Sequence, residues 1–238
     1  MIDISSISAL LLKITPLALA DSVNPCAFAV LMMVLLSILI NNPSKRKKVL
    51  LGGLAFCLAV FLEYLFYGII IVPFFRTFAS ILRENSVYFY DALGIISMTV
   101  GALNVKEFFN YKKGEFATEM PLSFRPKVKK IIEKITSPLG AFIVGFVVTL
   151  FLLPCTIGPY IIASGLLSNL GILGALPWLL YYNFLFVLPM LIITLLIHYG
   201  FTKIENVSEW RDRNIKLMHL IAGILMFLVG IAVLIGWL

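Results

Sequence analysis

Two of the three cysteines in this chain directly follow a proline, Cys26 in Asn24-Pro25-Cys26 and Cys155 in Leu153-Pro154-Cys155. With 11 prolines in 238 residues, a proline precedes any given position about once in twenty, so two such pairs among three cysteines need a reason. Proline removes a helical hydrogen bond, and both pairs fall inside apolar runs of membrane length. At that depth a freed backbone group is tolerated only where it faces protein or a water-filled cavity. The chemistry open to a thiol lining such a cavity is thiol–disulfide exchange, in which the thiolate is the attacking form. The chain has no CxxC and no cysteine–histidine spacing of a zinc site. A dithiol must therefore be assembled from distant segments, and neither a metal nor another cofactor is expected.

In the first pair, Asn24, Pro25 and Cys26 have the types expected of the cap, first and second positions of a restarted half-helix. The unpaired N–H groups of its first turn then point at the thiol and favour thiolate against the cost of burial. The second pair has no polar cap, but Gly158 and Pro159 follow within a turn and loosen the same region. Cys57, between Phe56 and Leu58 in an unbroken run, reads as a small buried hydrophobe. Glu63 falls mid-span, where a charge is costly, so it is protonated or paired; it either lines the cavity or makes a structural hydrogen bond. Asp21 is expected to face an outer vestibule, and Tyr181, Tyr182 and Asn183 to join helices. His198 and His219 are expected at the interface, with no role.

The elements that must position these residues are helices in a membrane. Hydrophobic residues make up 61% of the chain and charged ones 13%, with a mean hydropathy of +1.03, a balance that excludes a soluble globule. Segments 16–40, 49–72, 87–105, 139–166, 172–198 and 215–238 each approach the roughly 20 apolar residues that a span needs. All lysines and arginines except Lys13, Arg76 and Arg83 fall in the first, third and fifth connections. By the positive-inside rule those connections are cytoplasmic and both termini lie outside. This distribution also accounts for the net charge of +7 through lipid headgroups rather than nucleic acid.

Segment 126–136 places Val128, Ile131, Ile132 and Ile135 on one face and Lys127, Lys129, Lys130, Glu133 and Lys134 elsewhere, the pattern of an amphipathic helix on the inner surface. Phe74, Phe75, Phe78, Ile81 and Leu82 repeat similarly after Pro73 on the outside. Ala18-Leu19-Ala20 before Asp21 has the form of a signal-peptidase site. The start carries no positive charge, however, and Lys13 and Pro16 interrupt the apolar run, so the segment is expected to be retained.

A shift of 129 residues lays Pro25-Cys26 on Pro154-Cys155, Gly94 on Gly223 and Gly101 on Gly230. The second and fifth segments do not match at this offset. Each copy holds three spans, an odd number, so the second lies upside down relative to the first, an inverted-topology repeat. The expected architecture is an all-α integral membrane protein with one transmembrane domain over 1–238. Repeat one covers about 14–110, a cytoplasmic connection about 111–137 and repeat two about 138–238, with the first and fourth helices broken at Pro-Cys. Cys26 follows Pro16 by ten residues and Cys155 follows Gly145 by ten, about 15 Å of helix rise and half of a roughly 30 Å hydrocarbon core, so the thiols should meet near the midplane.

Asp21-Ser22-Val23-Asn24-Pro25-Cys26 and Pro154-Cys155-Thr156-Ile157-Gly158-Pro159 resemble the paired motifs of the CcdA family, relatives of the DsbD membrane domain. The likeness extends to the six spans and the inverted repeat. Bacterial members often carry a second proline shortly after the first cysteine, which Ala27-Phe28-Ala29-Val30-Leu31 lacks. The resemblance implies a thiol–disulfide oxidoreductase acting as an electron conduit in the cytoplasmic membrane. Cytoplasmic thioredoxin would reduce a Cys26–Cys155 disulfide, and the dithiol would reduce an extracytoplasmic thioredoxin-like protein, as in cytochrome c maturation. A secondary transporter of a small solute or metal ion, with non-redox cysteines, is the alternative, since inverted repeats with broken midplane helices also mark transporters.

Overall fold

The computed structural model describes residues 4–23, 25–41, 46–81, 86–110, 126, 130, 132, 137–200 and 203–235. They are almost all helical, most of them in seven α-helices: α1 Ile4–Ser22, α2 Pro25–Asn41, α3 Arg46–Ile81, α4 Ser86–Phe109, α5 Pro138–Leu167, α6 Gly171–His198 and α7 Ile204–Leu234. By length and hydropathy, Lys47–Thr77, Asp91–Phe109, Pro159–His198 and Asp212–Leu234 each suffice to cross a membrane. A fifth crossing is made if α1 and α2, bent by 48°, count as one span. The protein is thus a multi-pass, all-helical membrane protein with four or five such spans among the described residues, against the six expected. The apolar run Pro159–His198 takes in the end of α5 and all of α6, and leaves Pro138–Leu150 as a shorter apolar piece.

The surface is apolar and the interior holds the polar groups. Leu173 is 85% exposed, and Ile40, Leu58, Phe66, Phe184 and Leu228 also face outward. Asp21, Glu63, Glu107, Thr149, Ser164, Asn183 and His219 are buried. In water this arrangement would leave apolar patches far larger than a monomer tolerates, whereas in lipid it is the low-energy one.

Local sequence sets the helix ends. Ser137 caps α5, its hydroxyl accepting from the Gly140 N–H at 3.2 Å, and Pro138 follows at the first helical position. A 3₁₀ turn, Ser168–Leu170, joins α5 to Gly171 at φ 67°, ψ 176°, a conformation open to glycine, where α6 begins. Pro73 does not end α3, which runs on through Phe74 and Phe75 to Ile81. Phe74, Phe75, Phe78 and Ile81 of the amphipathic pattern are therefore part of the long helix α3, and Leu82 lies outside the described residues. Of segment 126–136 only Pro126, Lys130 and Ile132 are described; Lys130 is exposed and Ile132 buried. The carbonyl oxygen of Ile132 accepts from the Ser37 hydroxyl of α2 at 3.0 Å.

Glycine brings α4 and α7 into backbone contact. A Cβ at Gly101 would lie 2.8 Å from the Gly223 carbonyl oxygen, and one at Gly223 would lie 2.8 Å from that of Gly101. Gly94 and Gly230 face each other in the same way, at 3.2 and 2.8 Å. Between the two glycine pairs, the Ser97 hydroxyl donates to the Met226 carbonyl at 2.7 Å. Small residues permit this approach in lipid, where packing and interhelical hydrogen bonds drive association.

Candidate functional site

α1 and α2 are separate helices that meet just before Pro25-Cys26. α1 ends at Ser22 and α2 begins at Pro25, placing Cys26 in the first turn of α2. Asn24 is outside the described residues, as are the side chains of Pro25, Cys26, Pro154 and Cys155 and the surroundings of Gly158. The second pair differs from the expectation. α5 continues as a helix from Pro138 through Pro154 and Cys155 to Leu167, so no interruption matches the one before Pro25. A membrane helix can retain a mid-span proline where neighbouring helices and side chains satisfy the freed backbone groups, and α5 packs along α3, with Gly145 set against Ala59 and Phe56. Pro159 is buried within the same helix.

A layer of polar side chains surrounds this level of the bundle. Asp21, in the last turn of α1, is 1% exposed, and its Oδ2 accepts from the Tyr182 hydroxyl of α6 at 3.0 Å. It does not face an outer vestibule, because α6 covers it. The Tyr182 ring meets Tyr160 of α5 edge-on at 5.2 Å, and Tyr160 meets Tyr64 of α3 at 5.3 Å. The Tyr160 hydroxyl donates to the Tyr64 carbonyl, and Tyr64 stacks on Phe186 at 4.6 Å. One turn from Asp21 along α1, Leu17 offers its carbonyl to the Tyr182 hydroxyl at 3.5 Å. Thr15 and Tyr181 share a hydrogen bond of 3.0 Å. Tyr181 and Tyr182 therefore do join helices, and Tyr182 does so through a carboxyl.

Glu63, also 1% exposed, accepts from the Tyr67 hydroxyl one turn along α3. Its Oε2 lies near Thr149, and the fully buried Asn183 lies near the Tyr160 hydroxyl, but neither Glu63 Oε2 nor the Asn183 amide atoms make a hydrogen bond of good geometry among the described residues. Both residues lie near the middle of their helices. Cys57 is buried against Leu54, Leu58 and Phe61 of its own helix and Phe184, Val187 and Leu191 of α6, beside an apolar pocket of about 240 Å³. That setting suits a small hydrophobe.

A second polar group lies far from the break. His219 of α7 is buried rather than interfacial, with Nδ1 2.9 Å from Glu107 Oε2 and 3.0 Å from Asn104 Oδ1, both on α4. Asn104 in turn donates to the Val100 carbonyl at 2.9 Å. Asn104 and Glu107 are three residues apart on one helical face, and this spacing is the sequence signal that could have disclosed the cluster. Asp21–Tyr182 gave no such signal, since its members are 161 positions apart.

Among the described residues no group of three or more His, Cys, Asp or Glu could hold a metal ion. No protein-family model, curated protein or solved structure matches the chain.

Proposed function

We propose that this protein is a transmembrane thiol–disulfide electron carrier of the CcdA type. The observation that carries the reading is the position of Cys26 in the first turn of a helix restarted at Pro25, beside a polar layer, with a second Pro-Cys pair 129 residues later. In this reading six spans form a 3+3 inverted repeat in the cytoplasmic membrane, termini outside, and Cys26 and Cys155 meet near the midplane. The reciprocal contacts of Gly94 with Gly230 and Gly101 with Gly223 support the repeat. They are the contacts a two-fold axis generates when equivalent residues are 129 apart, and Ser97 bonded to Met226 lies on that axis.

Each transfer proceeds by thiolate attack on a disulfide through a mixed disulfide, moving two electrons without flavin, quinone or metal. Cytoplasmic thioredoxin, at about −270 mV, reduces the Cys26–Cys155 disulfide; the dithiol then reduces an extracytoplasmic thioredoxin-like protein, downhill toward an oxidising exterior. In vesicles loaded with reduced thioredoxin, an external disulfide acceptor is reduced by the parent protein. Cys26→Ser and Cys155→Ser abolish the transfer and trap a mixed disulfide through the remaining cysteine. Retained transfer in either serine variant overturns the reading.

Glu63 and Asn183, buried at mid-helix with unpartnered polar atoms, favour a second reading, a secondary transporter of a small solute or metal ion. It requires solute flux that survives loss of both cysteines.

A further inference from the structure

We propose that Glu63 is a proton-binding site and that the proton it holds locks α3 against α5. The inference stands apart from the thiol-transfer reading, and within the transporter reading it makes the proton the coupling ion. The chain gives this carboxyl no cation. Between Lys48 and Arg76, Glu63 is the one charged residue of α3, and the two cations are fifteen and thirteen residues away, about 22 and 20 Å of helix rise. The elements packed on α3 are α2, α5, α6 and the Ser168–Leu170 turn. Their sequences hold no lysine, arginine, aspartate or glutamate, and one histidine, His198 in the last turn of α6. Every other ionisable group on these helices is a thiol or a phenol, on Cys26, Cys57 and Cys155 and on Tyr64, Tyr67, Tyr160, Tyr181 and Tyr182. None of these is a cation in any state. A carboxylate buried at membrane depth without a cation is expensive, and a carboxylic acid avoids that cost.

The donors and acceptors around Glu63 fit the acid and not its anion. A carboxylate calls for donors at both oxygens, whereas a carboxylic acid calls for a donor at its carbonyl oxygen and an acceptor for its O–H. Oε1 receives the Tyr67 hydroxyl, one turn along α3. Oε2 has no hydrogen bond and lies near Thr149 of α5. The Thr149 hydroxyl donates its single proton to the Gly145 carbonyl at 2.6 Å, so it turns a lone pair toward Glu63. An ionised Oε2 is repelled by that lone pair, and a protonated one donates to it.

The contact stands in a tight seam. One turn back along both helices, a Cβ at Gly145 would lie 2.9 Å from the Ala59 Cβ, and Glu63 and Thr149 are both buried. With the proton bound, hydrogen bonds run from Tyr67 through Glu63 and Thr149 to Gly145, from one helix to the other. Without it, a bare charge faces an oxygen across the seam. The carboxylate takes the proton from water to become the acid and returns it to water on release, so proton loss loosens α3 from α5.

The test is infrared spectroscopy of the full chain in lipid nanodiscs. At neutral pH the parent should show a protonated-carboxyl C=O band that Glu63→Gln removes, and raising the pH should convert it to a carboxylate band. Tyr67→Phe, which takes the donor from the carbonyl oxygen, and Thr149→Val, which takes the acceptor from the O–H, should each move the band to higher frequency. Above the midpoint of the band's loss, amide hydrogen exchange at one pH should find α3 and α5 less protected in the parent than in Glu63→Gln, whose amide offers the same donor and acceptor but cannot ionise. A Glu63→Gln spectrum that keeps every protonated-carboxyl band of the parent overturns the site, as does a band that either Tyr67→Phe or Thr149→Val leaves in place. Equal protection above the midpoint overturns the lock. If Glu63→Gln does not assemble, the response of the parent band to the other two variants decides the site. Neither measurement uses a thiol or a partner protein: failed transfer with the expected spectra would sink the electron-carrier reading alone, and transfer without a Glu63 band would sink the proton site alone.

Discussion

The hydroxyl of Ser97 donates to the carbonyl oxygen of Met226 at 2.7 Å, and these residues are 129 positions apart, the interval that separates Cys26 from Cys155. In a pair of antiparallel helices built from a duplicated segment, a residue that touches its own counterpart marks the crossing point of the two. The glycines on either side let the backbones meet there, and the contact predicts where substitution will be least tolerated.

Gly101→Leu should cost about 3 kcal/mol, since even its first carbon would stand 2.8 Å from the Gly223 carbonyl oxygen and backbone atoms cannot move aside. Ala102→Leu, one residue on and exposed, should stay within about 0.5 kcal/mol. Unfolding of the two variants in mixed micelles compares them directly; equal stabilities would contradict the close approach.

His219→Ala removes one partner of the buried Glu107 carboxyl and should destabilise by about 1–3 kcal/mol, while Glu107→Gln with His219→Gln together should cost less than the sum of the separate changes. A double-mutant cycle on the same unfolding assay yields the coupling, and an additive cycle would mean that the 2.9 Å contact carries no energy of its own.

Gly171→Ala should cost about 1–3 kcal/mol, because φ 67° with ψ 176° is glycine's territory. Gly174→Ala, inside α6 with an ordinary helical φ, should cost much less. Thermal unfolding of the pair in one detergent checks the difference.

Cys57→Ala should leave electron transfer unchanged and lower stability by about 1 kcal/mol, the cost of a small cavity. A membrane-impermeant maleimide should not label Cys57 in the intact protein, since the residue is 1% exposed. Loss of transfer in Cys57→Ala would give the third thiol a part in the reaction.

Much of the helical framework was readable from hydropathy alone, because a span of apolar residues has few other uses. Segment 172–198 lies within α6 and 87–105 within α4. Proline was harder to read. Before Cys26 it stands at the start of α2, with two residues between it and Ser22, where α1 ends. At Pro73 and in α5 the helix continues, since what happens at a proline depends on whether neighbouring helices supply the missing contacts. The buried polar pairs were the least legible. Asp21 and His219 were expected near water, and each instead found a partner more than a hundred positions away, which no local pattern encodes.

The cluster of His219 with Glu107 and Asn104 has no copy. Shifted by 129, Asn104 falls on Val233 and His219 on Tyr90, so the opposite end of the α4–α7 pair has neither the amide nor the imidazole. Near Gly94 the close neighbours across the pair are Leu234 and the Gly230 backbone, whereas separating the helices near His219 strips a histidine and a carboxyl of each other inside the bundle. The α4–α7 pair thus carries its buried polar cluster near one end alone among the described residues.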